Sequence, residues 1–301
     1  ESEVVEPKVP FSDDIVTAQS NRRQQLANWV THPNNRAFAR AAVNRVWALL
    51  FSKPLVEPID DISLVGPWPP GLETLANDFH VIAINLFGYG DTRVWEGDAT
   101  QRLKDQARLI EPFLPTGADK ISIVGHSFGG SVAMKAAAMF KTKVRRLVLI
   151  EPNPFYLLEK FGRNEAYQEA VTLRDVIKLN GKAETWEVAA EVFANYWTGA
   201  GSWDAMPDDR KTKFAQALMP NFHEWDAVMN EQTSFLEWER DLPKHTTVVS
   251  AQDTVRSIGE IVELMKENAS EWLFEQIERG GHMAAMTKPD LINPIVASAL
   301  E

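Results

Sequence analysis

The chain contains no cysteine among its 301 residues, which excludes disulfides, a thiolate nucleophile and a zinc–thiolate site. Positive charge is in short supply: 31 Lys and Arg stand against 42 Asp and Glu, a net charge of −11. That balance argues against nucleic-acid or anionic-membrane partners, because both demand a basic surface. Nothing approaches the roughly 18 consecutive apolar residues of a membrane span. The apolar stretch VWALLF (46–51) lies between Arg45 and Ser52–Lys53 and reads as the end of an amphipathic helix. No signal-peptide pattern is visible, so cytoplasm is the expected compartment. Histidine is scarce too, with six in the chain, and that scarcity narrows the choice of a catalytic base. What remains is an ordinary globular composition, 45% hydrophobic and 24% charged. It is enough chain for one large α/β domain, or a domain plus a smaller module.

Residues 1–16 are acidic and proline-dotted. Helical patterns follow over about 20–30, ending at His32-Pro33, and over about 36–51. DISLVG (61–66) reads as a short strand, PWPPG (67–71) as a tight loop and 72–79 as helix. VIAINLFGYGD (81–91) reads as a buried strand running into a glycine turn. A regular alternation then sets in: helix near 99–114, strand ISIV (121–124), helix about 128–140, strand RRLVLI (145–150). Strands of nearly continuous apolar residues alternating with helices imply an α/β fold, its parallel sheet covered on both faces. The rhythm stops over 155–241, which holds five of the ten tryptophans (Trp186, Trp197, Trp203, Trp225, Trp238) but no convincing strand. It resumes with TTVVSA (246–251), a helix at about 258–268, strand EWLFEQI (271–277) and a final helix. The expected organisation is a helical N-terminal segment (1–58), a core in two parts (59–154 and 242–301), and a helical cap (155–241) inserted between them.

Gly125-His126-Ser127-Phe128-Gly129 is a G-x-S-x-G pattern standing directly after a strand and before a helix. A turn that sharp forces its serine into strain, and glycine neighbours leave the room it needs. The helix N-terminus aims backbone N–H groups at the place where an oxyanion would form. A serine hydroxyl needs a base, itself held by a third group. In the α/β-hydrolase order of Ser, acid, His, His282 in ERGGHMAAM is the base that fits. His126 sits inside the turn, His32 and His80 precede the serine, and His223 lies in the insertion. His245 begins a strand, at the wrong edge of a parallel sheet. For the acid, Asp253 directly follows TTVVSA and is preferred. Glu151, at the end of RRLVLI, is the competitor; its Pro-Asn-Pro sequel suggests instead that it lines the entrance to the insertion.

From about residue 68 to 301 the chain resembles the α/β-hydrolase superfamily, in its cap-bearing serine esterase and lipase-like branch. The residues that carry the likeness are FHVIAINLFGYGDT, ISIVGHSFGGSVAM, VRRLVLIEPNPF, VVSAQD and ERGGHM. The resemblance implies Ser127 as nucleophile, Asp253 as acid, His282 as base and 155–241 as the cap. It implies no metal and no organic cofactor. The expected reaction is carboxylic-ester hydrolysis through an acyl-enzyme, the substrate being a small ester. C–C bond hydrolysis on the same triad, or a non-catalytic protein of this fold, are the alternatives. The pocket is expected to include His126, Glu151, Trp197 and Met283. Phe128 should give one oxyanion N–H and Trp68 the second, since Pro67 has none to donate.

The start of the chain departs from that superfamily. RRQQLANWVTHPNNRAFARAAVNRVWALLFSKPLVEPIDD resembles a C-terminal domain of uncharacterised function from large bacterial proteins that also carry cytochrome-c-like modules. A fusion of two unrelated segments is therefore expected, joined between about 60 and 80. A sheet without the family's opening strands would leave an exposed edge. The N-terminal helices are expected to cover it, within one chain or by exchange in a homo-oligomer.

Overall fold

Helix α1 (Arg22–Thr31) stops directly before His32-Pro33, because the residue before a proline is pushed out of the helical region. Asn35 Nδ2 then donates to the Trp29 carbonyl at 2.7 Å. The structure is a computed structural model, and it describes residues 22–32, 35, 75, 78–96 and 99–301. The helix expected over 36–51, the strand over 61–66 and the loop over 67–71 lie outside the described residues. The chain divides into two compact units, residues 1–68 and 69–301; α1 belongs to the first and everything below to the second.

Helix α2 (Leu103–Ala107) runs into a 3₁₀ turn (Arg108–Phe113) that carries Pro112. Strand β1 (Ile121–His126), helix α3 (Phe128–Met139) and strand β2 (Val144–Ile150) follow. The insertion consists of α4 (Tyr156–Lys160), α5 (Asn164–Lys182), α6 (Trp186–Thr198), α7 (Asp208–Ala217), α8 (Asn221–Met229) and α9 (Phe235–Asp241), with no strand among them. Strand β3 (Thr246–Ala251), α10 (Arg256–Asn268), β4 (Leu273–Ile277), α11 (Ala284–Thr287) and α12 (Pro289–Leu300) complete the chain. No helix among the described residues is long and apolar enough to cross a membrane.

The four strands form a parallel sheet in the order β1-β2-β3-β4. Successive strand residues face opposite sides, so the unbroken apolar run of β2 supplies two cores. Leu147 and Leu149, with Val248 of β3, pack on the side of Ala133, Met134 and Ala137 from α3. Val148 and Ile150, with Val249 and Ala251, pack on the side of Ile292, Val296 and Leu300 from α12. Every residue of β3 is buried. Covering both faces of a parallel sheet in this way is what such apolar strands require.

Residues 81–86 correct an expectation. They form no strand, and Ile82 is exposed. An extended apolar segment becomes a strand only when it finds a ladder partner, and none of the four described strands pairs with this one. Its apolar residues are used sideways instead: Phe79 and Val81 pack on the α12 side of the sheet and Leu86 on the α3 side. The glycine turn after it does form, with Gly88 at φ 85° against Pro220 of the insertion.

Candidate active site

Ser127 stands between β1 and α3 at φ 53°, ψ −121°, a conformation that strains any residue with a Cβ. Three contacts hold it there. Its N–H donates to the Ile150 carbonyl at 3.0 Å, tying the end of β1 to the end of β2. Its carbonyl accepts from Gly130 N–H at 2.9 Å and Ser131 N–H at 3.2 Å, the first bonds of α3. The two glycines around it are sterically required. A Cβ on Gly125 would stand 2.2 Å from the Gly129 carbonyl oxygen, and one on Gly130 would stand 3.0 Å from Pro152 Cα. The Phe128 N–H, at the positive end of α3, finds no acceptor among the described residues.

His282 reaches the serine from the loop after β4. Its Nε2 lies 2.8 Å from Ser127 Oγ, and its Nδ1 lies 2.8 Å from Glu151 Oε2. The imidazole is 3% exposed and the carboxylate 2%, so this relay runs in a dry environment. Glu151 has φ 45°, another strained position, fixed by its N–H donating to the Val249 carbonyl at 2.9 Å. Its carboxylate also accepts from the Ala251 N–H and from the Thr254 hydroxyl, each at 2.7 Å. These donors satisfy the oxygens of a carboxyl group that would otherwise be costly to bury.

The preference for Asp253 is thereby corrected. Asp253 accepts from Gly281 N–H at 2.8 Å and from Gly280 N–H at 3.1 Å, and it is exposed. The Gly281 bond, with the Gly280 bond beside it, holds its carboxyl below the usual range. Its lone pairs face the backbone of the His282 loop rather than the imidazole. Asp253 shapes the loop; Glu151 meets the ring. The signal for Glu151 was present in the sequence as a lone carboxylate capping the apolar run RRLVLI.

The other expected site residues fall in different places. His126 Nε2 lies 2.8 Å from the His282 carbonyl. Burial, and then the neighbouring His282, push the His126 imidazole down to about 4. It is therefore neutral at pH 7 and donates from Nε2, since a carbonyl can only accept. It braces the backbone of His282. Met283 is half-buried against the core. Trp197, from the end of α6, lies over His282 with ring centroids 4.1 Å apart. Trp68 lies outside the described residues. Among the described residues no group of three or more His, Asp or Glu side chains is arranged to hold a metal ion. A groove of 660 Å³ between α5, α6 and α10, lined by Leu173, Val192, Tyr196 and Arg256 among others, includes none of the residues of the Ser127 relay.

The sequence profile of the alpha/beta hydrolase fold matches residues 63–289, and a profile described as a protein of unknown function (DUF1553) matches residues 22–84. The chain is 28% identical over 118 residues to the mouse 1-acylglycerol-3-phosphate O-acyltransferase ABHD5, covering 36% of this chain and 34% of that protein. The match thus spans about a third of the length of that relative. It is 22% identical to the (E)-2-((N-methylformamido)methylene)succinate hydrolase of Acinetobacter baylyi, covering 81% of this chain and 90% of the relative. Among solved structures, a probable hydrolytic enzyme from Pseudomonas aeruginosa PAO1 superposes with a TM-score of 0.53 at 18% identity, over 79% of this chain and 81% of the other. An esterase from Exiguobacterium antarcticum gives 0.53 at 17% identity, over 72% and 80%.

Proposed function

Because the chain belongs to the alpha/beta hydrolase fold family, we propose that it is a serine hydrolase cleaving carboxylic esters through an acyl-enzyme. One observation carries the reading: the unbroken relay from Ser127 Oγ through His282 to the buried Glu151, with both bonds at 2.8 Å. Ser127 Oγ attacks the ester carbonyl while His282 Nε2 takes its proton. Glu151 holds the imidazole in the tautomer that leaves Nε2 free to accept, then stabilises the imidazolium. The Phe128 N–H receives the negative charge that develops on the carbonyl oxygen. Collapse of the tetrahedral species breaks the C–O bond, and His282 returns the proton to the departing alkoxide. Water, deprotonated by His282, then attacks the acyl-serine, releasing the acid and restoring Ser127.

The geometry also explains why Ser127 is strained. The φ of 53° turns the hydroxyl out of the strand line and toward the imidazole, a cost that the packed glycines and the Ile150 bond offset. Treatment with a fluorophosphonate, alongside turnover of short p-nitrophenyl esters, tests the reading. Ser127 should be labelled in the folded protein, and Ser127→Ala should lose at least about a thousandfold in kcat. Ester turnover that persists in Ser127→Ala, or a wild-type serine that stays unlabelled, would overturn it.

A further inference from the structure

His282 is buried, and a buried imidazole that takes up a proton needs compensation from its surroundings. Its two nitrogens are provided for, Nε2 by Ser127 Oγ and Nδ1 by Glu151 Oε2. Hydrogen bonds at ring nitrogens run near the ring plane, so these two partners serve the edge of the imidazole and leave its faces to other groups.

Trp197 covers a face. The indole and imidazole centroids are 4.1 Å apart, and the planes are inclined by only 32°. Rings so nearly parallel reach that separation by stacking, because side by side their atoms would collide. His126 is the other ring beside His282, with centroids 5.0 Å apart. Burial, and then His282 itself, push the His126 imidazole down to about 4, so at pH 7 it brings no like charge.

The indole is held against turning away. Tyr196 and Phe193 set their rings steeply to it, at 4.7 Å and 84° and at 5.9 Å and 63°. The Tyr196 hydroxyl is in turn 2.8 Å from Ser257 Oγ on α10. The Trp197 N–H bonds nothing among the described residues, so the ring face is what the indole offers to His282.

The face of an aromatic ring is the negative part of its quadrupole. It attracts a cation seated on it, most strongly where water is excluded. His282 is neutral while it waits to take the Ser127 proton and becomes an imidazolium as the tetrahedral species forms. Packing acts on both forms alike, whereas the attraction to charge acts only on the second. An interaction stronger in the transition state than in the ground state raises the rate without tightening substrate binding.

We propose that Trp197 is a positioning residue of the relay whose ring face stabilises the imidazolium of His282, and so speeds both formation and hydrolysis of the acyl-enzyme. This rests on the serine-hydrolase reading of the Ser127–His282–Glu151 relay.

Fluorination tests it, because each fluorine drains negative charge from the ring face while hardly changing its shape. Mono-, di-, tri- and tetrafluorotryptophan are placed at position 197 alone by codon reassignment, since the chain has ten tryptophans. For a p-nitrophenyl ester, log kcat should fall in step with the number of fluorines, to about tenfold below the wild type at four. KM should stay within about twofold. A flat kcat series, or a loss carried by KM, would mean that Trp197 only fills space and would overturn the inference. The rate at which a fluorophosphonate labels Ser127 gives a second reading, because that attack also passes the serine proton to His282. It should decline in the same order, and a constant rate overturns the inference as well. A wild type that is labelled but hydrolyses no ester removes the ester reading alone, and the labelling series then decides the role of Trp197. A wild type neither labelled nor active overturns the serine-hydrolase reading and this inference with it.

Discussion

Glu151 and His282 meet at 2.8 Å, although 131 positions separate them in the chain. Glu151 lies at the end of β2, and His282 follows β4. The contact spans β3, whose Ala251 N–H and following Thr254 hydroxyl complete the carboxylate's hydrogen bonds. Three consecutive strands of the sheet thus converge on one carboxylate.

Replacing Glu151 should therefore damage catalysis far more than replacing Asp253. Glu151→Gln keeps the shape but offers an amide to His282 Nδ1, and kcat should fall by about a thousandfold or more. Asp253→Asn loosens the loop through Gly280 and Gly281 and should cost about tenfold or less. Steady-state kinetics on one p-nitrophenyl ester decides between them; equal losses would restore Asp253 as the orienting acid.

Strain at Ser127 should be visible as stability. Glycine adopts φ 53° without the Cβ penalty, so Ser127→Gly should lose activity while gaining about 1 kcal/mol in urea unfolding. A variant less stable than the wild type would show that the turn is not strained.

Gly125→Ala should have the opposite effect. Its new Cβ would meet the Gly129 carbonyl oxygen at 2.2 Å, a backbone atom that cannot move without unwinding the start of α3. A loss of at least about 2 kcal/mol is expected in the same assay.

Glu224 should make stability depend on pH. Burial pushes its carboxyl up to about 8, opposed by a hydrogen bond with Tyr89. The folded state thus holds a proton that the unfolded chain releases near its ordinary carboxylate value. This contribution is fully present at low pH and drains away as pH rises from about 4.5 to about 8, by up to roughly 5 kcal/mol. The stability difference between wild type and Glu224→Gln, followed by urea unfolding, should fall across that window. A flat difference would mean that Glu224 is ionised in the folded protein.

Much of this arrangement is legible in local pattern. The unbroken apolar runs of β2 and β3 can only be strands of a covered sheet, and the glycines around Ser127 serve a turn whose sterics involve near neighbours. His282 follows from chain order and the scarcity of histidine. These features depend on residues close in sequence, so composition and spacing determine them. The choice between Glu151 and Asp253 is of another kind. Both follow neighbouring strands and both reach the same edge of the sheet, so spacing treats them alike. The packed fold decided it by sending two backbone N–H groups of the His282 loop to Asp253 and leaving the imidazole to the buried Glu151. The fate of 81–86 was settled in the same way, because a strand exists only with a partner. So was the placing of Trp197 on His282, which brings α6 to a loop 85 positions further along the chain. Local sequence specified the parts that bond within themselves; which distant groups share a hydrogen bond depended on strand order and side-chain reach, and only the tertiary structure supplies those.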